Sequence, residues 1–188
     1  MNTAIERYQF TVTDFGRMID AGIFAEDDRV ELIAGEIITM SPVGDRHVGC
    51  VNILTDLLAD IARKEAIISI QNPIRLADQS QPQPDIALIR RSTFTHTVPA
   101  AGEVLLVIEV ANSSLDYDRT LKLPRYAAAG IAEAWLVDLG AETVERYTEP
   151  RDGYYRVATF AKRGDTLSST VLPALTVPVD IVLGEAEE

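Results

Sequence analysis

The spacing of apolar residues first predicts three helices. The clearest spans about 45–64, where apolar positions recur every three or four residues and would form one face of an amphipathic helix. Those positions are Val48, Val51, Leu54, Leu58 and Ile61. A short helix is expected to begin near Thr13, with Asp14 as an alternative cap. A third is expected over about 120–129, with Pro124 in or near its first turn.

Strand-like runs account for much of the remaining chain. Residues 29–40 contain two runs around Ala34-Gly35, which predicts a tight hairpin because glycine accepts the backbone angles of such a turn. Further strands are expected at 66–70, 84–89, 103–110, 131–137, 143–147 and 154–160. This order predicts an α/β (α+β) fold with a central mixed β-sheet flanked by helices, an N-terminal hairpin and a C-terminal antiparallel extension.

The length and the absence of a linker favour a single domain over residues 1–188. Its core would span about 28–138, and 184–188 would form a frayed acidic tail. No apolar run approaches the roughly 18 residues of a membrane span, and the polar N-terminus lacks the apolar core of a secretory signal. We therefore expect a cytoplasmic protein with no membrane partner. Cys50 is expected to be a buried, inert thiol.

The formal net charge of −12 bears on possible partners. Proteins that hold nucleic acid broadly through its phosphates are usually basic, because counterion release drives that binding. An acidic chain can still act on DNA if local basic patches and metal ions carry the contacts. Tight nonspecific binding is not expected.

Two carboxylates accompany strongly apolar strands. Asp85 leads directly into the run 86–89, and Glu109 follows the run 104–108. Ionised side chains there are costly unless they are paired or bind a cation. One such residue is best explained as a strand-end group near solvent, but two on neighbouring predicted strands favour a shared divalent cation. Mg²⁺ takes one or two carboxylates and keeps several waters, which suits hydrolysis of a phosphodiester.

An ordered set of short motifs spans about residues 28–138. In chain order it comprises Glu31 in a hairpin ending in Gly-Glu, Met40-Ser41-Pro42, His47, Pro84-Asp85, Glu109-Val110-Ala111, Asp118-Arg119, Lys122, Tyr126, Gly130 and Trp135. The set resembles the PD-(D/E)XK superfamily of restriction-endonuclease-like nucleases. It is most similar to the bacterial Uma-type branch, which was first catalogued as a domain of unknown function and then described as endonucleases.

The resemblance implies a metal-dependent active site. Asp85 and Glu109 would ligate Mg²⁺ or Mn²⁺, with the backbone carbonyl of Val110 as a possible further ligand. Glu31 would be a third acidic group, binding the metal directly or through water. His47, at a helix N-terminus, could bind phosphate, relay a proton or complete the metal sphere, or it could be an ordinary cap or surface residue.

The lysine of this site is displaced from its usual place. The superfamily's common motif has a lysine two residues after the glutamate, where this chain has Ala111. The branch that the chain resembles supplies the lysine from the following helix, and Lys122 occupies that place. It would position or help deprotonate the attacking water. Asp118 is expected to be a helix N-terminal charge, with Arg119 and Arg125 as candidate phosphate contacts.

Three functions stay open at this point. The first is a Mg²⁺-dependent endonuclease that hydrolyses DNA phosphodiester bonds. The second is a regulatory module that binds DNA or protein with little catalysis, and the third is a metal-dependent hydrolase of a small phosphorylated substrate. A cluster of basic residues around the metal site would favour nucleic acid. The candidates are Arg46, Arg75, Arg90, Arg91, Arg119, Lys122 and Arg125.

A homodimer is also expected, because duplex DNA offers two strands to cut and two-fold dimers are common among restriction-type nucleases. The apolar residues of 172–183 could form such an interface or close the core.

Overall fold

A computed structural model describes residues 7–93 and 97–184. The side chains of 60–64 and 93 lie outside this description, and with them the predicted apolar contact of Ile61. Residues 185–188 of the predicted acidic tail also lie outside it. Among the described helices, none is both long enough and apolar enough to span a lipid bilayer.

Up to residue 162 the described helices and strands follow the predicted order, and three short elements after it were not predicted. In chain order the elements are α1 (Val12–Asp20), β1 (Val30–Ile33), β2 (Glu36–Thr39), α2 (Asp45–Glu65), β3 (Ala66–Ile70), β4 (Ile86–Arg90), β5 (Val104–Ala111), α3 (Leu115–Tyr117), a π-helical turn (Asp118–Lys122), α4 (Leu123–Ala128), β6 (Glu133–Asp138), β7 (Thr143–Arg151), β8 (Tyr154–Lys162), β9 (Thr166–Ser168), β10 (Thr176–Pro178) and α5 (Val179–Leu183). The predicted hairpin, long helix and extension are all present.

A six-stranded mixed sheet forms the centre of the molecule, in the order β3-β4-β5-β6-β7-β8. Strands β5 and β6 are parallel, and the other neighbouring pairs are antiparallel. A parallel pair requires a crossover connection, and here α3, the π-helical turn and α4 provide it. The predicted mixed α/β fold class is confirmed.

Helices cover both faces of this sheet and enclose two apolar cores. On one face, Leu54 and Leu58 of α2 pack with the C-terminal segment, whose buried residues are Leu172, Leu175, Val177, Val179 and Val182. Residues 172–183 therefore help close the core, one of the two roles that the sequence left open. Burial in this core raises the pKa of the Cys50 thiol to about 12, as expected for an inert cysteine. On the other face, α4 contributes Leu123, Tyr126 and Ala127.

The first helix begins earlier than predicted. Its cap is Thr11, whose hydroxyl accepts a hydrogen bond from the Asp14 N–H while the Asp14 carboxylate accepts one from the Thr11 N–H. This reciprocal capping box shifts the helix start upstream of Thr13.

Val48 departs from its prediction in another way, because it is 44% exposed and does not join the apolar face of α2.

The crossover helix also begins earlier than predicted, at Leu115 rather than near Thr120. Pro124 lies in the first turn of its last segment, α4, as predicted, and this segment continues the earlier part of the crossover helix. A proline lacks the N–H that an α-helical interior needs, and the preceding π-helical turn accommodates this, with the Leu123 N–H bonding to the Asp118 carbonyl five residues back.

The turn of the β1–β2 hairpin generates a prediction about stability. Ala34 and Gly35 have φ of 50° and 78°, the positive angles of a type I′ turn. A Cβ on Gly35 would lie 2.5 Å from Cβ of Gln9, whereas a Cβ on Gly164, with φ of +86°, would meet nothing within 4 Å. Both alanine variants would incur the backbone strain of about 1–2 kcal/mol, and only Gly35→Ala would add a clash.

We therefore expect Gly35→Ala to lower the free energy of unfolding clearly more than the matched control, Gly164→Ala. Urea denaturation followed by circular dichroism measures both losses. Equal losses would show that the contact between the hairpin turn and Gln9 does not contribute to stability.

Candidate active site

A pocket of about 250 Å³ opens between the β1–β2 hairpin, the start of α2 and the turn that follows β5. The structure brings together in its wall the five side chains that the sequence and the resemblance singled out, together with one more acid. They are Glu31, His47, Asp85, Glu109 and Lys122, joined by Asp118. The resemblance thus located a real cluster, while the chemical role of each residue stays a prediction.

The register of β4 and β5 explains how the two central carboxylates meet. The strands are antiparallel neighbours in which Ile86 pairs with Ile108. Asp85 precedes the first of these residues and Glu109 follows the second, so both lie at the same edge of the sheet. The Val110 N–H donates to Asp85 Oδ2 at 2.8 Å, which fixes the aspartate against the neighbouring strand.

Lys122 points into this cluster and is 3% exposed. Its Nζ lies 3.2 Å from Glu109 Oε1, 3.6 Å from Glu31 Oε1 and 3.8 Å from Asp118 Oδ1. It also donates to the Gln83 carbonyl at 3.3 Å. Burial opposes the charged form, but these carboxylates outweigh it and raise the pKa of Lys122 above its ordinary value. The side chain is therefore an ammonium at neutral pH.

Two tyrosines complete the hydrogen bonding of the buried glutamates. Tyr126 is fully buried, and its hydroxyl donates to Glu109 Oε1 at 2.5 Å. The Tyr117 hydroxyl donates to Glu31 Oε1 at 2.8 Å. Neither contact was predicted. Tyr126 could have been found from its position four residues after Lys122, on the same helix face.

The π-helical turn explains why Tyr117 was missed. In an α-helix, residues five apart point about 140° away from each other, so the sequence places Tyr117 and Lys122 on different sides. The extra residue in the π-turn brings them to the same side, where both contact Glu31 and Lys122 lies 5.7 Å from the Tyr117 ring centroid.

Asp118 is not the helix N-terminal charge that the sequence predicted. Because the helix begins at Leu115, Asp118 lies in its interior, is 3% exposed and lines the pocket. It accepts a hydrogen bond from the Ser114 hydroxyl at 2.6 Å. Burial raises the pKa of Asp118 to about 6, against the ordinary value of 3.8.

His47 is 8% exposed, and its Nε2 lies 3.0 Å from Asp85 Oδ1. An ionised carboxylate only accepts hydrogen bonds, so Nε2 carries the proton of this contact. Nδ1 has no hydrogen-bond partner within the described part of the chain. Burial favours the neutral form of Asp85, but the hydrogen bond and charge of His47 and the Val110 N–H outweigh it and hold the pKa of Asp85 below its ordinary value.

The electrostatics of the pocket leave negative charge in excess. Four buried carboxylates surround the Lys122 ammonium: Glu31, Asp85, Glu109 and Asp118. Burial is the main cause that raises the pKa of Glu109 well above its ordinary range, with Asp118 and Asp85 adding to it. A cation would relieve this repulsion and favour the ionised forms.

Hard oxygen donors suit Mg²⁺ or Mn²⁺, so the chemistry of the donor set fits a divalent cation. The described residues contain no group of three or more His, Cys, Asp or Glu arranged as a metal-ligand cluster. The fit therefore rests on Asp85 and Glu109 alone as side-chain ligands, with water and backbone oxygen completing the sphere. Mg²⁺ accepts such a set, because it commonly uses one or two carboxylates.

The basic residues whose clustering would favour nucleic acid do not gather in the described wall of the pocket. Among the residues that the structure describes, the basic side chains in the pocket wall are Arg29 and Lys122. The predicted phosphate contacts bond elsewhere, Arg119 with Glu145 at 2.5 Å and Arg125 with the Leu121 carbonyl at 2.8 Å. Both side chains are thus used in contacts within the protein, and their role as phosphate contacts stays a prediction.

A mixed sheet whose adjacent strands present an aspartate and a glutamate to a lysine on the crossover helix defines a nuclease fold of the restriction-endonuclease type. The family model described as "Putative restriction endonuclease" (Uma2) matches residues 12–180. The chain belongs to this family, which confirms the resemblance seen in the sequence and supports a nuclease-like function.

One of the matching solved structures shows the same fold. A putative nuclease belonging to DUF820 from Anabaena variabilis ATCC 29413 matches with a TM-score of 0.72 at 15% identity, over 93% of this chain and 97% of that one. The type IIG restriction endonuclease BpuSI matches with a TM-score of 0.41 at 12% identity, over 63% of this chain and 14% of that one. No curated protein matches the chain in sequence.

The raised pKa of Asp118 predicts how stability depends on pH. A proton bound more tightly in the folded state makes the metal-free protein more stable as pH falls through about 6 toward the ordinary value of 3.8. Asp118 would contribute about 1 kcal/mol to the gain between pH 7.5 and 5. Asp118→Asn removes this contribution and should reduce the gain.

Asp116→Asn is the matched control, since it removes the same formal charge from an exposed position two residues earlier. Thermal unfolding in EDTA across this pH range measures all three proteins. The account is contradicted if Asp118→Asn and Asp116→Asn show the same pH dependence.

Proposed function

We propose that the protein is a Mg²⁺- or Mn²⁺-dependent nuclease that hydrolyses phosphodiester bonds of DNA. The observation that carries the proposal is the meeting of Asp85, Glu109 and Lys122 in one buried pocket with an excess of carboxylate charge. Membership of the restriction endonuclease family agrees with this combination.

Asp85 and Glu109 are the proposed metal ligands, with the Val110 carbonyl as a further one. When bound, the cation supplies a Lewis acid and lowers the pKa of its water. The protein's part is to hold both carboxylates in one orientation. The Val110 N–H and His47 fix Asp85, while Tyr126 and Lys122 fix Glu109.

Lys122 acts in this proposal as a charged donor. Its raised pKa argues against a role as proton acceptor at neutral pH, so it orients the attacking water and offsets charge on the phosphate. Both oxygens of Glu31 already accept hydrogen bonds, from Tyr117 and from the Gln83 N–H. In this proposal Glu31 positions Lys122, whose Nζ lies 3.6 Å from its Oε1, and its remaining lone pairs can hold a metal-bound water.

His47 has a narrower role than the sequence left open. With Nε2–H directed at Asp85, this nitrogen has no lone pair for a metal. We assign it to orienting the aspartate and holding its ionised form. The homodimer and the cytoplasmic location remain predictions.

A second candidate function, hydrolysis of a small phosphorylated substrate, is favoured by one observation. The pocket is small, and within the described chain only Arg29 and Lys122 bring positive charge to its wall. The regulatory-module alternative is less favoured, because Lys122 Nζ lies 3.2 Å from Glu109 Oε1 although the usual lysine position holds Ala111.

The proposal predicts that Asp85→Asn and Glu109→Gln each lower Mg²⁺-dependent DNA cleavage on the order of a hundredfold or more, since each removes a ligand charge while keeping the side-chain shape. Glu36→Gln is the control, because Glu36 belongs to the same hairpin as Glu31 but is exposed. Cleavage of plasmid and oligonucleotide DNA in Mg²⁺ and Mn²⁺ is the measurement, with circular dichroism to verify folding.

Unchanged cleavage in either ligand variant would overturn the assigned site. A parallel assay with bis(p-nitrophenyl) phosphate separates the two candidate functions. Hydrolysis of this small diester without cleavage of any DNA would favour the second one.

A further inference from the structure

The proposed catalytic groups are recessed. Glu109 is 1% exposed, Lys122 3% and Asp85 7%. Groups at the base of a pocket contact only what enters it, whereas the phosphates of a double helix lie along its outer surface. A volume of about 250 Å³ falls below the roughly 300–1,000 Å³ of pockets for drug-sized ligands. It accommodates a nucleotide-sized portion of a substrate and is far smaller than a double helix.

The walls of the pocket differ in character. The segment 38–44 contributes Ile38, Met40, Pro42 and Val43, and the turn after β5 contributes Asn112 and two serines. The two sides approach closely at the rim, where a Cβ on Gly44 would lie 4.0 Å from Asn112 Nδ2. A base that has left the stack presents an apolar face and a polar edge. The segment 38–44 suits the apolar face of the base, and the turn after β5 suits its polar edge.

The few basic side chains in the pocket agree with a contact to only one or two phosphates of the DNA. Proteins that grip duplex DNA commonly neutralise about 6–10 phosphates. In the described part of this pocket, the basic side chains are Arg29 and Lys122. Arginines on the surrounding elements bond to the protein itself, Arg46 to the Leu139 carbonyl and Arg91 to the Ala66 carbonyl. The pocket therefore offers positive charge for one or two phosphates.

We infer that the pocket takes an unpaired nucleotide. The DNA substrate is then single-stranded, or locally unpaired at a flap or bubble, and an intact duplex is a poor substrate. The cleavage part of this inference rests on the proposed nuclease function, whereas the binding part does not.

The test compares four labelled DNAs of one sequence: a single strand, a duplex with an internal bubble, a duplex with a single-stranded flap, and a duplex closed by hairpins at both ends. Fluorescence anisotropy in EDTA and in Ca²⁺ measures binding, and gel analysis in Mg²⁺ or Mn²⁺ measures cleavage. We expect the closed duplex to be bound and cut roughly tenfold or more less well than the others, because it must first lose base stacking.

A pair of variants tests whether the unpaired strand uses this pocket. Val43 lies in the wall and is 42% exposed, whereas Val157, on the edge strand β8, is 39% exposed and remote from the wall. Val43→Asp places a carboxylate in the apolar wall that would contact the base, where it also repels the phosphates of the bound strand, and should weaken single-strand binding about tenfold. Val157→Asp adds the same charge and should leave binding unchanged.

The outcomes separate the two claims. Equal binding and cleavage of the closed duplex, or equal effects of the two valine variants, overturn the inference and leave the nuclease proposal standing. A binding preference for unpaired DNA without cleavage of any DNA supports the pocket's ligand and overturns the nuclease proposal. Absence of both binding and cleavage overturns both.

Discussion

The burial of four carboxylates around one lysine ammonium is the constraint on which the site depends. Ionised groups in a protein interior are tolerated only when they are paired and hydrogen-bonded, and each of these has a named partner. Tyr126 and Lys122 contact Glu109, and Tyr117 and Lys122 contact Glu31. His47 contacts Asp85, and Ser114 and Lys122 contact Asp118. The network joins the hairpin, two strands and the crossover helix, so the same contacts that hold the charges also align the site.

Two local features make this network possible. The antiparallel register of β4 and β5 places Asp85 and Glu109 at one sheet edge. The π-helical turn Asp118–Lys122 then brings a lysine, an aspartate and the preceding tyrosine to the same side of the crossover helix. Insertions of this kind are frequent at functional sites. Here the π-helical turn also explains how the crossover helix continues past Pro124. The same turn therefore accommodates the proline and brings the charged residues together.

The sequence was most informative where local chemistry decides the structure. Ala34-Gly35 predicted its hairpin, and the apolar strands with terminal acids predicted that Asp85 and Glu109 would meet. Lys122 was predicted from the family resemblance alone, because its contact with Glu109 depends on how the crossover helix packs on the sheet. Asp118 was missed because the crossover helix begins at Leu115 rather than near Thr120, and Tyr117 was missed because the π-turn is what brings it to the side of Lys122. The pairing of Arg119 with Glu145, on a strand later in the chain, depends on tertiary packing that spacing does not show.

The central claim is that a divalent cation completes the buried carboxylate cluster. Calorimetric titration of metal-free protein with Mn²⁺ tests it most directly, with thermal unfolding recorded at each metal concentration. The account predicts binding at one site and a melting temperature that rises with Mn²⁺, because a ligand that binds only the folded state stabilises it. Both effects should be strongly reduced in Glu109→Gln. Absence of binding heat and of any thermal shift in the wild-type protein would contradict the account.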